Sequence, residues 1–509
     1  MRLTFMAGVA TVVSLSGVAL VPAALMAQPG GGVAPQCTID QNNPKELALM
    51  SLKFQSARSA PTPEARKKAL RDIVKELDTK PERFTKNPGG YNFTLVQALT
   101  MWGVEPGLAD APARSELGFI TNPAEPYDIV VNMDVAYKAI VAAVPACDAD
   151  IAGMRMNEVW LAATKAALDA SNAGKLDSAD YFAKRSMLMS ATNPYPHYVM
   201  ANTANARNNR AVAIMHWKHV IKYAADDTTY RELKNSSMYY AAMSQLEDAQ
   251  AKTGAEQVTV AREAAEGFKA LLAATPDNPD APNLLLSWAD ALTAAKDTAL
   301  IPTVYAPLLT QASATDIALA TAGVIATRAN KSDDALKLFQ AATVKNPFNR
   351  DAQRNVAAAH YSKDEFTLMF APTRKLVELD PNNFDGWMLF AYAAQGLAKA
   401  AQTAKKPIEV RAWTDSLVKY QTYAEALPVK VDVTSFDRRK ETATLILGVE
   451  QVAAKDGQYS VTVEFLDLAG AVVATVTEPV GPIKKGETKS VTLKTNGTGI
   501  MAYRYKALK

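Results

Sequence analysis

The period of apolar and polar positions changes along the chain, and the changes mark its elements. From Pro44 to Asp78 apolar residues recur three and four apart, first in PKELALMSLKFQSAR and then in EARKKALRDIVKELD, where Ala65, Ala69, Ile73 and Leu77 fall on one stripe. This spacing predicts a hairpin of two amphipathic helices, each opened by a proline. Between Lys80 and about Asp128 the pattern breaks. KNPGG, EPG and NPAEP surround a short helix candidate, FTLVQALTMWG, so a long decorated connection is expected, with Pro88-Gly89-Gly90 as a turn. Helical spacing returns at Met133 and persists to about Leu427 as a series of hairpins, three of them between Pro282 and Leu427. After Pro428 the period falls to two. VKVDVTSF, TATLILGVEQV, YSVTVEFLD, AVVATVTE, KSVTLKT and IMAYRYK read as strands, and Asp456-Gly457 and Asn496-Gly497 suit the positive φ of tight hairpins. Short strands at this density predict a small antiparallel sandwich of immunoglobulin-like shape.

A finer pattern repeats inside the helical stretch. Ala335, Phe339, Ala342 and Pro347 stand at offsets of 0, 4, 7 and 12; Ala264, Phe268, Leu271 and Pro276 repeat those offsets, and Pro381 follows Pro347 by 34 residues. The alanine lets helices cross closely, the aromatic fills the gap to the next hairpin, and the proline ends the second helix. A period of this length signals stacked helical hairpins and shifts the functional question from catalysis to binding. Pro276 and Pro347 are 71 residues apart, two periods plus three, whereas Pro194 and Pro276 are 82 apart, so the middle units carry insertions.

These residues resemble the tetratricopeptide repeat family. With each unit's proline at position 32, Gly323 falls at the family's position 8 and Trp387 at position 4; Ala357 and Ala391 stand where the family has glycine, and Met369 where it has alanine. The resemblance is most specific over residues 255–427 and looser over 154–254. It implies a right-handed superhelix whose concave groove is lined by the first helix of each pair. Arg328, Arg354, Asn355 and Tyr392 fall at groove positions, where guanidinium, amide and phenol groups can hold an extended peptide by its backbone and carboxylates. The carboxylate clamp of chaperone-binding members is not reproduced, since Ala320, Val324 and Ala358 occupy its positions. The run VEFLDLAGAVVATV, with KKGE and AYRY, is similar to FxLyD-like modules of bacterial envelope proteins.

Composition adds a compartment. Residues 1–27 carry Arg2 before an apolar run and read as a signal peptide, cleaved after Ala27; Leu25 leaves an uncleaved anchor as the alternative. Residues 28–43 read as a flexible linker, 44–150 as an irregular helical region, 151–427 as tetratricopeptide-like repeats and 429–509 as the β-sandwich. Export to the periplasm or cell surface of a diderm bacterium is the expectation, with no membrane span after cleavage. Cys37 and Cys147 are the two cysteines, which predicts one disulfide in an oxidising compartment; two separate buried thiols are the alternative.

Charge and motifs exclude more than they assign. The net charge of +3 rests on 55 basic and 52 acidic residues spread along the chain, without a nucleic-acid footprint. His216 and His219 would share a helix face, with His197 in a nearby turn, but no third ligand is specified, so solvated or partly packed histidines are expected, as is packing for His360. Neither a G-x-S-x-G elbow nor a phosphate loop, C-x-x-C pair or dinucleotide fingerprint occurs. No catalytic residue, cofactor or metal is therefore predicted. The expected function is a non-enzymatic, exported interaction scaffold or adaptor that binds a protein or peptide in its groove. The alternatives are an envelope enzyme or accessory factor active in residues 80–150, and a purely structural spacer.

Overall fold

A computed structural model describes residues 37–39, 44–453 and 455–509. The leader read over residues 1–27, and most of the linker read over 28–43, lie outside the described residues. The chain divides into two compact units, residues 1–241 and 242–509.

The first unit is built of helical hairpins. Lys45–Arg58 pairs with Pro63–Thr79, Glu158–Asn172 with Leu176–Met189, and Pro194–Ala206 with Arg210–Ala224. The stretch from Lys80 to Asp128 contributes one full helix, Pro88–Gly103, longer than the short one expected, which packs against Ile129–Ala143, where helical spacing is expected to resume. Pro88-Gly89-Gly90, read as a turn, instead opens Pro88–Gly103. Asn87 caps it by accepting the Gly90 N–H at 2.8 Å, and a Cβ on Gly89 would stand 3.2 Å from Val144, so the glycine permits a close helix approach. The remaining loop is held by a carboxylate. Asp78 accepts the N–H groups of Ile120 and Thr121, both at 2.7 Å, and Arg114 lies over the Phe119 ring at 4.2 Å. Cys37 and Cys147 form a disulfide that ties the start of the described chain to this core, in which Cys147 is fully buried.

The second unit continues the hairpin motif with Gly254–Ala274, Ala281–Ala294, Asp316–Arg328 with Ser332–Lys345, Arg350–Ser362 with Phe370–Leu379, and Phe384–Thr403 with Pro407–Glu425. This arrangement is tetratricopeptide-like. Three full hairpins follow Pro282 among the described residues, and Ala281–Ala294 precedes them as a first helix without a full second one. The partner of Ala281–Ala294 is reduced to the short turns Pro302–Tyr305 and Ala306–Leu309, which Pro302 and Pro307 interrupt. The period is also written in the backbone: Lys296, Asn330 and Asp364, spaced 34 apart, each take positive φ at the hairpin turn.

Gly323 explains one of the repeat's fixed positions. A Cβ there would lie 2.4 Å from the Phe339 ring, so the aromatic of the second helix sits against the bare backbone of the first. Gly323→Ala is expected to cost about 1–3 kcal/mol by overpacking. A urea midpoint equal to that of the wild type would show that the two helices slide apart at no cost.

Strands β1 (Val429–Arg438), β2 (Thr442–Gln451), β3 (Gly457–Leu466), β4 (Val472–Ile483), β5 (Thr488–Asn496) and β6 (Ala502–Tyr505) form two antiparallel sheets, ordered β1-β2-β5 and β4-β3-β6. Inward residues of both sheets share one core, including Leu445, Leu447, Val463, Phe465 and Leu493. This is the strand order of an immunoglobulin-like sandwich without its last strand. The Asp-Gly and Asn-Gly pairs do not make hairpins. Gly457 and Gly497 lack positive φ and sit where the chain crosses between sheets; the left-handed glycines are Gly470, Gly486 and Gly499. A glycine at positive φ is required only where the chain reverses tightly, as at Gly470 between β3 and β4.

Candidate functional site

Within the second unit the β-sandwich is not tethered loosely to the repeats; it is bonded into their turns. Two successive repeat boundaries, Asn346-Pro347-Phe348-Asn349 and Asp380-Pro381-Asn382-Asn383, supply the contacts. Asn349 and Asn383 cap the helices that follow, accepting from Ala352 and Gly386. The residues left over face the sandwich. Asn346, fully buried, donates to Asp316 at 2.9 Å and to the Met501 carbonyl at 3.0 Å. Asn382, equally buried, accepts the Leu508 N–H at 2.7 Å and donates to the carbonyls of Leu508 and Val429 at 3.1 and 3.2 Å.

Charge is buried at the same joint. Arg350 donates to Asp380 at 2.7 Å, the Tyr505 hydroxyl donates to the same carboxylate, and Arg438 reaches both Asp316 and the Met501 carbonyl. Burial pushes the Asp380 carboxyl up from its usual range, against the pull of Arg350 and Tyr505, while the carboxylate keeps Arg350 firmly protonated. The phenols of Tyr503 and Tyr505 are pushed well up, chiefly by burial. Gly470 brings the β3–β4 turn onto the helices: a Cβ there would stand 2.3 Å from Phe348, and its φ is +84°.

The joint leaves a cleft of about 250 Å³ between the first helices of two hairpins and the sandwich. Ile317, Val324 and Phe436 supply apolar wall, Tyr503 lies at its buried end, and Arg328 and Asn355 stand on the helix side. The Asn355 side chain forms no hydrogen bond among the described residues, leaving its amide for a ligand. Arg328 pairs with Asp290 at 3.3 Å, an exposed contact of small strength that a ligand carboxylate can displace. The other two groove candidates lie outside this cleft. Arg354 pairs with Asp385 at 3.2 Å, and Tyr392 packs its ring beside Tyr361, 5.6 Å between centroids. The β-sandwich wall escaped the sequence reading, although the Asn346 and Asp380 turns, 34 residues apart, carried a signal: more asparagine than helix capping uses.

The four histidines divide unevenly. His360 is packed, bonded to Glu365 at 2.6 Å. The other three, all in the first unit, come together: one ring nitrogen of each of His197, His216 and His219 lies within 4.8 Å of those of the others. His197 and His216 are buried rather than solvated, and His219 is half-buried. The third member is supplied by the hairpin fold, which sets the first turns of Pro194–Ala206 against Arg210–Ala224, a relation that sequence spacing does not reveal. Burial, followed by the neighbouring rings, pushes His216 down to about 4; burial also lowers His197, against its bond to the Ala191 carbonyl.

Residues 80–150 contain a further depression beside Trp102 and Asp110, but its charges are engaged: Tyr181 donates to Asp110 at 2.6 Å and Arg185 to Asp128 at 2.7 Å. Among the described residues no helix is long and apolar enough to cross a membrane.

The fold and its cleft define a class: a helical-hairpin repeat array joined to a two-sheeted β module. No family model matches the chain, and no curated protein is similar to it. Solved structures similar to it include Pseudomonas aeruginosa PilF, at 11% identity over 52% of this chain and 96% of that one, with a TM-score of 0.22. Yeast Tom70 is 14% identical over 77% of this chain and 67% of that one, with a TM-score of 0.23. The TPR2AB domain of yeast Sti1, solved as a pHSP90 complex, is 12% identical over 52% and 98%, also at 0.23. Similarity this distant carries nothing about partners.

Proposed function

We propose that this protein is a non-enzymatic, exported scaffold of the bacterial envelope that holds an extended protein segment in the cleft between its repeats and its β-sandwich. The observation that carries the reading is the lining of that cleft. Its inner charges are paired, Arg438 with buried Asp316, and Arg350 with Asp351 and with Asp380 behind the wall, whereas the Asn355 side chain is unengaged and Arg328 only loosely so. An apolar wall with a free amide and a displaceable guanidinium suits a peptide backbone carrying an apolar side chain and a carboxylate. Export rests on the N-terminal leader and on the cysteine pair, which belongs in an oxidising compartment.

Site-specific photocrosslinking tests the cleft. A crosslinker at position 355 should trap a protein from envelope extract, whereas one at Val344, which is 82% exposed on a second helix, should not. Arg328→Glu should weaken capture at 355 by about tenfold, equivalent to about 1.4 kcal/mol. Equal adducts at 355 and 344 would remove the cleft from the proposal.

A further inference from the structure

We propose that His197, His216 and His219 form a binding site for a divalent transition-metal ion of the zinc class. The site is built by one helical hairpin of the first unit. His216 and His219 project from the same face of Arg210–Ala224, three residues apart, and His197 comes from the opening turns of Pro194–Ala206. Their rings meet closely, with centroids 4.8 Å apart for His197 and His219 and 5.2 Å for His197 and His216.

The hydrogen bonds already orient two of the ligands. His197 Nε2–H donates to the Ala191 carbonyl at 2.9 Å, and since a carbonyl only accepts, the tautomer is fixed with the lone pair on Nδ1. That lone pair faces His216 Nδ1 at 3.0 Å. A metal-bound histidine characteristically donates its second ring N–H to a carbonyl or carboxylate, and His197 has this partner in place. The proton shared between the two Nδ1 atoms belongs to His216; on coordination it moves to His216 Nε2, a change of tautomer that releases no proton.

Dimensions and chemistry agree with this class of ion. Four-coordinate zinc with metal–nitrogen bonds of about 2.0–2.1 Å holds its ligand atoms roughly 3.3 Å apart. The His197 and His216 nitrogens need only part slightly, and the third ring, at most 4.8 Å away, closes by a side-chain rotation. His219 supplies an independent sign. Its Nδ1 is buried and has no hydrogen-bond partner among the described residues, a costly state for a polar nitrogen and one that a metal ion resolves. Three imidazoles favour zinc, copper, nickel or cobalt over calcium and magnesium, which take oxygen ligands.

Chelator-treated, tag-free full-length protein should be titrated with Zn²⁺ by calorimetry and with Co²⁺ by visible absorption. One equivalent of Zn²⁺ is expected to bind, and Co²⁺ to develop the absorption of a tetrahedral nitrogen site. His219→Gln, the least buried of the three, should weaken binding by at least about 100-fold with an unchanged circular dichroism spectrum, whereas His360→Gln should bind as the wild type does. A folded protein that takes up no ion at one equivalent overturns the assignment. So does equal binding by the His219→Gln and His360→Gln variants.

Discussion

Asp380→Ala should lower the stability of the 242–509 unit by about 3–5 kcal/mol, the largest loss expected from any single side chain at the joint. The carboxylate is fully buried and accepts from both Arg350 and Tyr505, so its removal leaves a mostly buried guanidinium and a buried phenol without their partner. Asp351, bonded to Arg350 at 2.6 Å and largely exposed, offsets part of this and places the cost toward the lower end. Removing both charged partners should be milder than removing one, because the penalty lies in the unpaired ion and not in the lost pair. Asp380→Leu combined with Arg350→Met is therefore expected to be more stable than Asp380→Ala. Urea unfolding followed at the second unit distinguishes the cases. A loss below about 1 kcal/mol for Asp380→Ala would mean that the sandwich is held without this carboxylate, by the Asn346, Asn382 and Arg438 bonds and the apolar contacts of Leu379, Leu466 and Ala502.

That network also marks the limit of what the sequence discloses. Hairpins, repeat period and strands were legible because each is a local periodicity: Gly323 against Phe339 follows from one helix facing the next. The change of period after Pro428 agrees with β1 opening at Val429. The joint was not legible, because Asn346, Asp380 and Asn382 lie in turns whose asparagines and aspartates already have a local explanation in capping. Their long-range partners, Met501, Tyr505 and Leu508, sit more than a hundred residues away. The cleft shares that difficulty. Arg328 and Asn355 could be placed on a groove from the repeat register, but the wall that faces them belongs to β1 and β6. For the histidines the spacing of 216 and 219 was visible, and only the pairing of two helices brings His197 beside them. The glycine turn at 88–90 failed for the opposite reason. Its composition suggests a loop, yet proline fits the first helical turn and glycine fits a close helix contact.

Loss of the Cys37–Cys147 bridge should destabilise the 1–241 unit by about 4–5 kcal/mol, because it closes a segment of 110 residues and the entropy removed from the unfolded chain grows with loop length. Cys37→Ser is the cleaner variant, since Cys37 is partly exposed whereas a serine at the fully buried position 147 would add an unpartnered hydroxyl. Three samples should converge if the bridge acts through the unfolded state: Cys37→Ser with and without reductant, and reduced wild-type protein. Oxidised wild type alone should unfold later. Identical unfolding of oxidised and reduced wild type would show that the helices around Cys147 hold without the bridge. The same comparison bears on export. A unit that needs this bridge is stable only where disulfides persist, so material retained in a reducing cytoplasm should be cleaved by protease in the 44–150 region well before material recovered from an oxidising compartment.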